Sequence, residues 1–167
     1  MKARDMEELK LLPVGEKDRA ALIALLTNEE ITKTYMVPPL DSEDKRGAVF
    51  ERFLVLSRDK SRFVFGIFTG SRLIGMIHDV DTDGGAIELG YFIDPALKGR
   101  GIASWALRTA IPLLFERGFS AVRAGAFREN TASIRVMQKC GMTATGETEM
   151  LTYRGEAREC VYYEIRK

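Results

Sequence analysis

An α/β fold of the mixed α+β kind, with about seven strands in one sheet and helices on both faces, is predicted by three observations. Short apolar runs bounded by Gly, Pro and Asp recur along the chain, as strands do. Stretches with apolar residues at helical spacing separate them. Two of the apolar runs, residues 86–93 and 121–127, are joined by one long amphipathic stretch. A crossover of that length makes the two strands parallel. With 167 residues, 46% hydrophobic and 29% charged, the chain suits one domain spanning residues 1–167.

The elements follow in order. Residues 8–14 read as a first strand, with Pro13 tolerable near an end. Residues 16–26 repeat apolar residues at helical spacing, with Ala21, Leu22, Leu25 and Leu26 on one face. Asn28 is a helix cap followed by Glu29 and Glu30, and Pro38-Pro39 ends that short segment. Ser42 opens a further helix that runs to about Arg58. Residues 62–68 and 72–80 form a hairpin about Thr69-Gly70-Ser71, and Asp83-Gly84-Gly85 turns the chain into the fourth strand, Ala86 to Ile93. That strand is apolar on both faces and therefore central. A helix from Gly101 to Glu116 packs through Ile102, Ala103, Ala106, Leu107, Ala110, Leu113 and Leu114, with a kink expected before Pro112. Gly118 ends it, Ala121–Phe127 is the fifth strand, and Asn130 or Thr131 caps a helix to Lys139. Two final strands, near 143–152 and 158–166, meet at Tyr153-Arg154-Gly155-Glu156.

Composition removes several function classes. Cys140, Cys160 and the single His78 make neither a disulfide framework nor a metal site, so no metal is expected. No run of about eighteen uncharged apolar residues suits a membrane span, and the first eight residues lack the apolar centre of a secretory signal. A cytoplasmic protein with no membrane partner is expected. The net charge of +1 conceals an asymmetry: residues 94–140 hold eight basic residues and three acidic ones. That excess lacks the interleaved aromatics of a single-strand nucleic-acid groove, and no nucleic-acid partner is expected. It suits a small polyanion instead.

The segment from Glu88 to Ser104 shows where that polyanion belongs. An apolar strand stops at Asp94-Pro95, crosses a loop with Gly99 and Gly101, and enters a helix. The first N–H groups of a helix lack internal partners and lie at the positive end of its dipole, so such a turn can hold a phosphate. Lys98 and Arg100 add charge beside it. The spacing fits neither a nucleotide-triphosphate loop nor a dinucleotide fingerprint. Lys98-Gly99-Arg100-Gly101-Ile102-Ala103 resembles motif A of the GNAT superfamily of N-acetyltransferases, with Lys98 where that motif has Gln or Arg. A second stretch, residues 126–142, resembles the element that follows the fifth strand of that family, at Asn130, Ser133, Lys139, Gly141 and Met142. The resemblance covers nearly the whole chain and is strongest toward the branch of ribosomal-protein alanine and small-amine acetyltransferases.

The resemblance implies a GNAT-type fold whose fourth and fifth strands splay apart to admit the pantetheine arm of acetyl-CoA, the co-substrate. Tyr91, Phe92 and Ile93 would bind that arm, and the amides of Gly99, Arg100, Gly101, Ile102, Ala103 and Ser104 would bind its pyrophosphate, with Lys98 beside them. Asn130 would reach the co-substrate from the mouth of the splay. The reaction implied is direct attack of an amine on the thioester in a ternary complex. An alkylamine is mostly ammonium at neutral pH, so a base is useful, directly or through water, and Glu88 between Ile87 and Leu89 is the candidate. Many relatives use a helix tyrosine to protonate the departing thiolate. Met137 stands there in this chain and cannot donate a proton. Ser133, one turn earlier, is the candidate donor, with Tyr91 and Tyr153 as further possibilities. His78 is read as structural. The acceptor is an amine, on a small molecule or at a protein N-terminus. A non-catalytic acyl-CoA sensor is the alternative outside enzymes, and pairing of the final hairpin across a homodimer is a further possibility.

Overall fold

The computed structural model describes residues 8–167; residues 1–7, most of the segment without a signal-like apolar centre, lie outside the described residues. In chain order the elements are β1 (Leu9–Leu12), α1 (Arg19–Leu26), α2 (Glu29–Thr32), α3 (Glu43–Arg58), β2 (Val64–Thr69), β3 (Arg72–Asp83), β4 (Ala86–Ile93), α4 (Ile102–Glu116), β5 (Ala121–Phe127), α5 (Thr131–Lys139), β6 (Thr143–Tyr153) and β7 (Glu156–Arg166). The strands form one mixed sheet in the order β1-β2-β3-β4-β5-β7-β6. The fourth strand is central in that order. None of the described helices is long and apolar enough to cross a membrane.

The chain divides into two compact units, and β3 and β4 each give residues to both. Among the described residues the first takes 8–78 together with Tyr91–Ile102. Its core gathers Leu22, Leu26, Phe50, Leu54, Phe68, Met76 and Phe92. The expected helix over 16–26 begins as one 3₁₀ turn, Glu16–Asp18, because the Asp18 carboxylate turns back to accept from the Gly15 amide at 2.8 Å. Asn28 and Ser42 cap α2 and α3 as their sequence positions predict, accepting from the amides of Glu30 and Lys45. The segment after Thr32 leaves the helix well before Pro38.

The second unit takes Asp79–Gly90 with Ala103–Lys167. Its parallel ladder sets Ala86 against Ala121, Ile87 against Val122, Glu88 against Arg123 and Leu89 against Ala124. β7 lies antiparallel to β5, and β6 antiparallel to β7. Ala106, Leu107, Ala110 and Leu114 of α4 are buried, whereas Leu113, expected on the same face, is 42% exposed. It sits about 100° around the helix from Leu114, and Ile111 is the buried residue instead. The helix continues through Pro112, which faces outward.

β4 is not apolar on both faces. Ile87 and Leu89 on one face are buried, while Glu88 and Gly90 on the other are only half-buried and Phe92 beyond them is buried again. A central strand thus leaves one face partly open, at the position of its one carboxylate.

Candidate active site

In the first unit, the end of β4 and the turn after it are held from several sides. The Asp94 amide donates to the Ile74 carbonyl at 2.7 Å. One Asp94 carboxylate oxygen accepts from the Ala96 amide at 3.0 Å, and the other from Arg72 at 2.7 Å. Gly75 brings β3 unusually close to Phe92: a Cβ at Gly75 would stand 2.3 Å from the Phe92 carbonyl oxygen. No side chain fits there, so this glycine is what lets the Phe92 peptide take its position. Phe92 itself is buried, and Tyr91 and Ile93 are half-buried.

Gly99 and Gly101 both have positive φ, 76° and 77°, in the region where a Cβ is strained. At Gly99 nothing lies within 4 Å of where a Cβ would stand, so the requirement there is conformational and not steric. Lys98 and Arg100 are exposed, and no acidic residue stands in the first turn of α4. Ile102 is buried and anchors the helix start. Amides on a left-handed glycine turn, a helix start without carboxylates and two exposed cations fit an anionic phosphate group. Ala103 is half-buried and Ser104 buried. The Ser104 carbonyl accepts from the Cys140 thiol at 3.5 Å, and burial raises that thiol above its ordinary range.

In the second unit, the Glu88 side chain makes no hydrogen bond or ion pair among the described residues, its backbone lying in the β4–β5 ladder. Its carboxyl is raised above the ordinary glutamate range, first by burial, then by the negative charges of Asp81 and Glu149; Arg123 acts in the opposite sense. Arg123 lies directly across the ladder from Glu88 yet gives its guanidinium to other carboxylates. It is ion-paired with Glu147, and its Nε is 3.5 Å from Glu164. The Tyr162 ring lies 5.5 Å from the guanidinium carbon and over Gly125, where a Cβ would come within 2.9 Å of the ring. The Tyr162 hydroxyl donates to Glu149 at 2.7 Å. Burial and that bond together raise its ionisation above the usual tyrosine range.

Asn130 caps α5, its side-chain oxygen accepting from the Ser133 amide at 3.2 Å. The loop before it is tied to β7: Arg128 makes a two-pronged pair with Glu159, and Arg158 bonds Glu129 while its guanidinium carbon sits 3.9 Å from the Phe127 ring centre. Ser133 is half-buried, whereas Met137 is fully buried, so the two positions on one face of α5 differ in surroundings. Tyr153 is buried, its ring 6.2 Å from that of Phe127. His78 places Nε2 2.7 Å from the Tyr35 hydroxyl, with the Tyr35 and Phe53 rings edge-on to it.

The basic excess of residues 94–140 is partly committed within the protein. Arg108 donates to the Lys139 carbonyl, Arg123 pairs with Glu147 and Arg128 with Glu159. The acidic residues sort similarly: Asp41, Glu43 and Glu147 are in ion pairs, whereas Asp81 and Glu149 contribute negative charge at Glu88. Beside the β6–β7 ladder a cavity of about 480 Å³ is lined by Thr143, Thr145, Glu147 and Glu164, among others; neither Glu88 nor Ser133 lines it. Arg123 and Tyr162 are residues to which reading the sequence gave no role beside Glu88. Arg123 carried a signal, the local charge excess, and Glu149 is one of the acidic residues of the final hairpin that could attract a cationic amine; Tyr162 depends on strand register.

Comparison with known proteins follows the same lines. Residues 8–143 match the acetyltransferase (GNAT) domain family. An uncharacterized N-acetyltransferase, YoaA of Bacillus subtilis, is 27% identical over 169 residues, covering 98% of this chain and 96% of its own. A spermidine N-acetyltransferase from Vibrio cholerae, solved with CoA and spermine, superposes with a TM-score of 0.80 at 18% identity, covering 96% of each chain. A ribosomal-protein alanine acetyltransferase from Vibrio fischeri superposes with a TM-score of 0.79 at 16% identity, covering 95% of this chain and 93% of its own. Those two likenesses are of fold.

Proposed function

Because the chain belongs to the GNAT acetyltransferase family, we propose that it transfers the acetyl group of acetyl-CoA to a primary amine by direct attack in a ternary complex, with the whole chain acting as one catalytic domain. The observation that carries this reading is the content of one strand. β4 holds an unpaired, half-buried carboxylate at Glu88 and ends in the glycine turn that leads into α4.

Acetyl-CoA supplies an activated acyl group. Tyr91, Phe92 and Ile93 would bind its pantetheine amides along the strand, with Gly75 fixing the Phe92 peptide. The amides of residues 99–104, with Lys98 and Arg100, would bind its phosphates. Asn130 would orient the arm through whatever capacity its cap leaves. Glu88 takes the proton of the incoming ammonium, directly or through a water. Its raised pKa suits that task, because a base held nearer to working pH accepts a proton more readily. Ser133 would hydrogen-bond the departing thiolate.

The carboxylates of Asp81, Glu88 and Glu149 favour a cationic acceptor, and a small amine is therefore the first reading. The spermidine enzyme, which shares the fold, is consistent with it. A protein N-terminus is the second, consistent with the ribosomal-protein enzyme. Calorimetric titration with acetyl-CoA tests the donor side, and absence of binding would remove the proposal. Thiol release across a panel of small amines and N-terminal peptides then tests the acceptor. Binding with no turnover on any amine would favour a sensor over an enzyme of this substrate class.

A further inference from the structure

Arg123 stands between two carboxylates in register, Glu88 across the parallel ladder and Glu164 across the antiparallel one. On a sheet face an arginine in that position pairs with either neighbour. Glu164 is an incomplete partner: it is 3.5 Å from Arg123 Nε without closing a hydrogen bond, and it also pairs with Arg166 at 2.8 Å. The deciding contact comes from β6. Between Ala144 and Thr148 the β6–β7 register shifts, so residues 145–147 stand against Tyr162 alone. Gly146 takes a φ of 82°, Thr145 Oγ1 donates to the Tyr162 carbonyl at 3.2 Å, and the Glu147 amide donates to the same hydroxyl at 3.1 Å. This bulge aims Glu147 at the guanidinium.

We infer that Glu147 is a positioning residue for the acetyl-transfer base: the β6 bulge delivers its carboxylate to Arg123 and so keeps that guanidinium from pairing with Glu88. The inference rests on the reading of Glu88 as base. Were Arg123 to turn toward β4, Glu88 would be held as a carboxylate with a weaker hold on a proton. The charged and titratable groups that act electrostatically on Glu88 are Asp81 from β3, Arg123 from β5 and Glu149 from β6, and Glu88 acts in turn on Tyr162 and Cys160 from β7. Arg123 is the one cation among them. Its orientation therefore decides how far the carboxylates around Glu88 are offset.

The test is a direct titration of the full-length protein with ¹³C-labelled glutamate, Glu88 being assigned by the signal lost in Glu88→Gln. The Glu88 midpoint is expected to fall by about one pH unit in Glu147→Gln, as an opposite charge at contact distance requires. In Glu147→Gln combined with Arg123→Gln it is expected to rise above the wild-type midpoint, since the cation is gone. Glu147→Asp, which keeps the charge, should restore much of the wild-type value. Glu147 is mostly exposed, so its variants should fold, and thermal melting checks this. An unchanged Glu88 midpoint in folded Glu147→Gln overturns the inference. Failure of the underlying reading looks different: Glu88→Gln would then retain wild-type thiol release from acetyl-CoA, whatever the titration shows.

Discussion

At position 137 a tyrosine would supply the proton donor that the family resemblance implies, and the structure shows why it cannot simply be restored. Met137 is fully buried, and its carbonyl accepts from the amides of Cys140 and Met142 where α5 ends. Met137→Tyr should destabilise the protein by about 1–3 kcal/mol through overpacking and give no gain in rate, as thermal melting and thiol release would show. Glu88 makes a sharper case. Removing a positioned general base costs about 10²–10⁴-fold, so Glu88→Gln should lower kcat/KM by at least a hundredfold at neutral pH. In the wild type, kcat/KM should fall as pH drops through the raised Glu88 pKa. The same shift has a stability consequence of opposite sense. A carboxyl whose folded pKa exceeds its unfolded one contributes stability below the unfolded pKa and loses it as pH rises through the folded one. Glu88→Gln should therefore melt higher than wild type at neutral pH, with the gain vanishing below about pH 4. The candidacy of Glu88 was legible because a lone carboxylate between Ile87 and Leu89 is visible in the sequence. The diversion of Arg123 was not, since it depends on partners 24 and 41 positions away.

Among the elements, the glycines of β3 and of the turn before α4 are where local conformation bears on the proposed donor binding. Gly99→Ala or Gly101→Ala would force a Cβ into the left-handed region, at about 1–2 kcal/mol. Each should raise KM for acetyl-CoA several-fold while kcat changes less. Gly70→Ala, in the β2–β3 turn with a φ of 56°, meets a similar local cost and should leave KM unchanged. Gly75→Ala should act more severely, because the collision is with the backbone oxygen of Phe92; lower melting and weaker acetyl-CoA binding by calorimetry are expected together. The ends of β4 and β5 agree with the ranges predicted from sequence because turn residues mark them, Asp83-Gly84-Gly85 and Asp94-Pro95 around the one and Gly118 before the other. β3 runs three residues beyond its apolar stretch, to Asp83. Exposed polar residues can continue a ladder without any hydrophobic signal, so that extension had no mark. The 3₁₀ start before α1 was hidden for a related reason: Asp18 reads as an ordinary helical residue until its carboxylate is seen bonded to Gly15.

For the molecule as a whole, charge distribution is the property that sequence showed first and structure refined most. Of the eight basic residues counted between 94 and 140, those on β5 and in the loop after it are held in ion pairs, whereas Lys98 and Arg100 remain exposed beside the glycine turn. Attraction of a polyanion by two exposed cations is screened over a Debye length of about 8 Å at physiological ionic strength. KM for acetyl-CoA should accordingly rise with salt, and the double variant Lys98→Gln, Arg100→Gln should flatten that dependence in steady-state assays. Motif spacing makes the proposed donor side readable in the sequence, because a phosphate cradle of this kind is one contiguous turn. The proposed attraction of a cationic amine draws on Asp81, Glu88 and Glu149 from three strands, and no contiguous stretch announces it. The edge position of β6 carries a last consequence. A strand with a neighbour on one side only can gain or lose a residue without displacing the register of the rest of the sheet. If Glu147 positions Arg123 as inferred, the length of its bulge is thus a place where evolution, or an engineer, can retune the basicity of Glu88 by insertion or deletion, leaving β4 and the proposed donor-binding turn untouched.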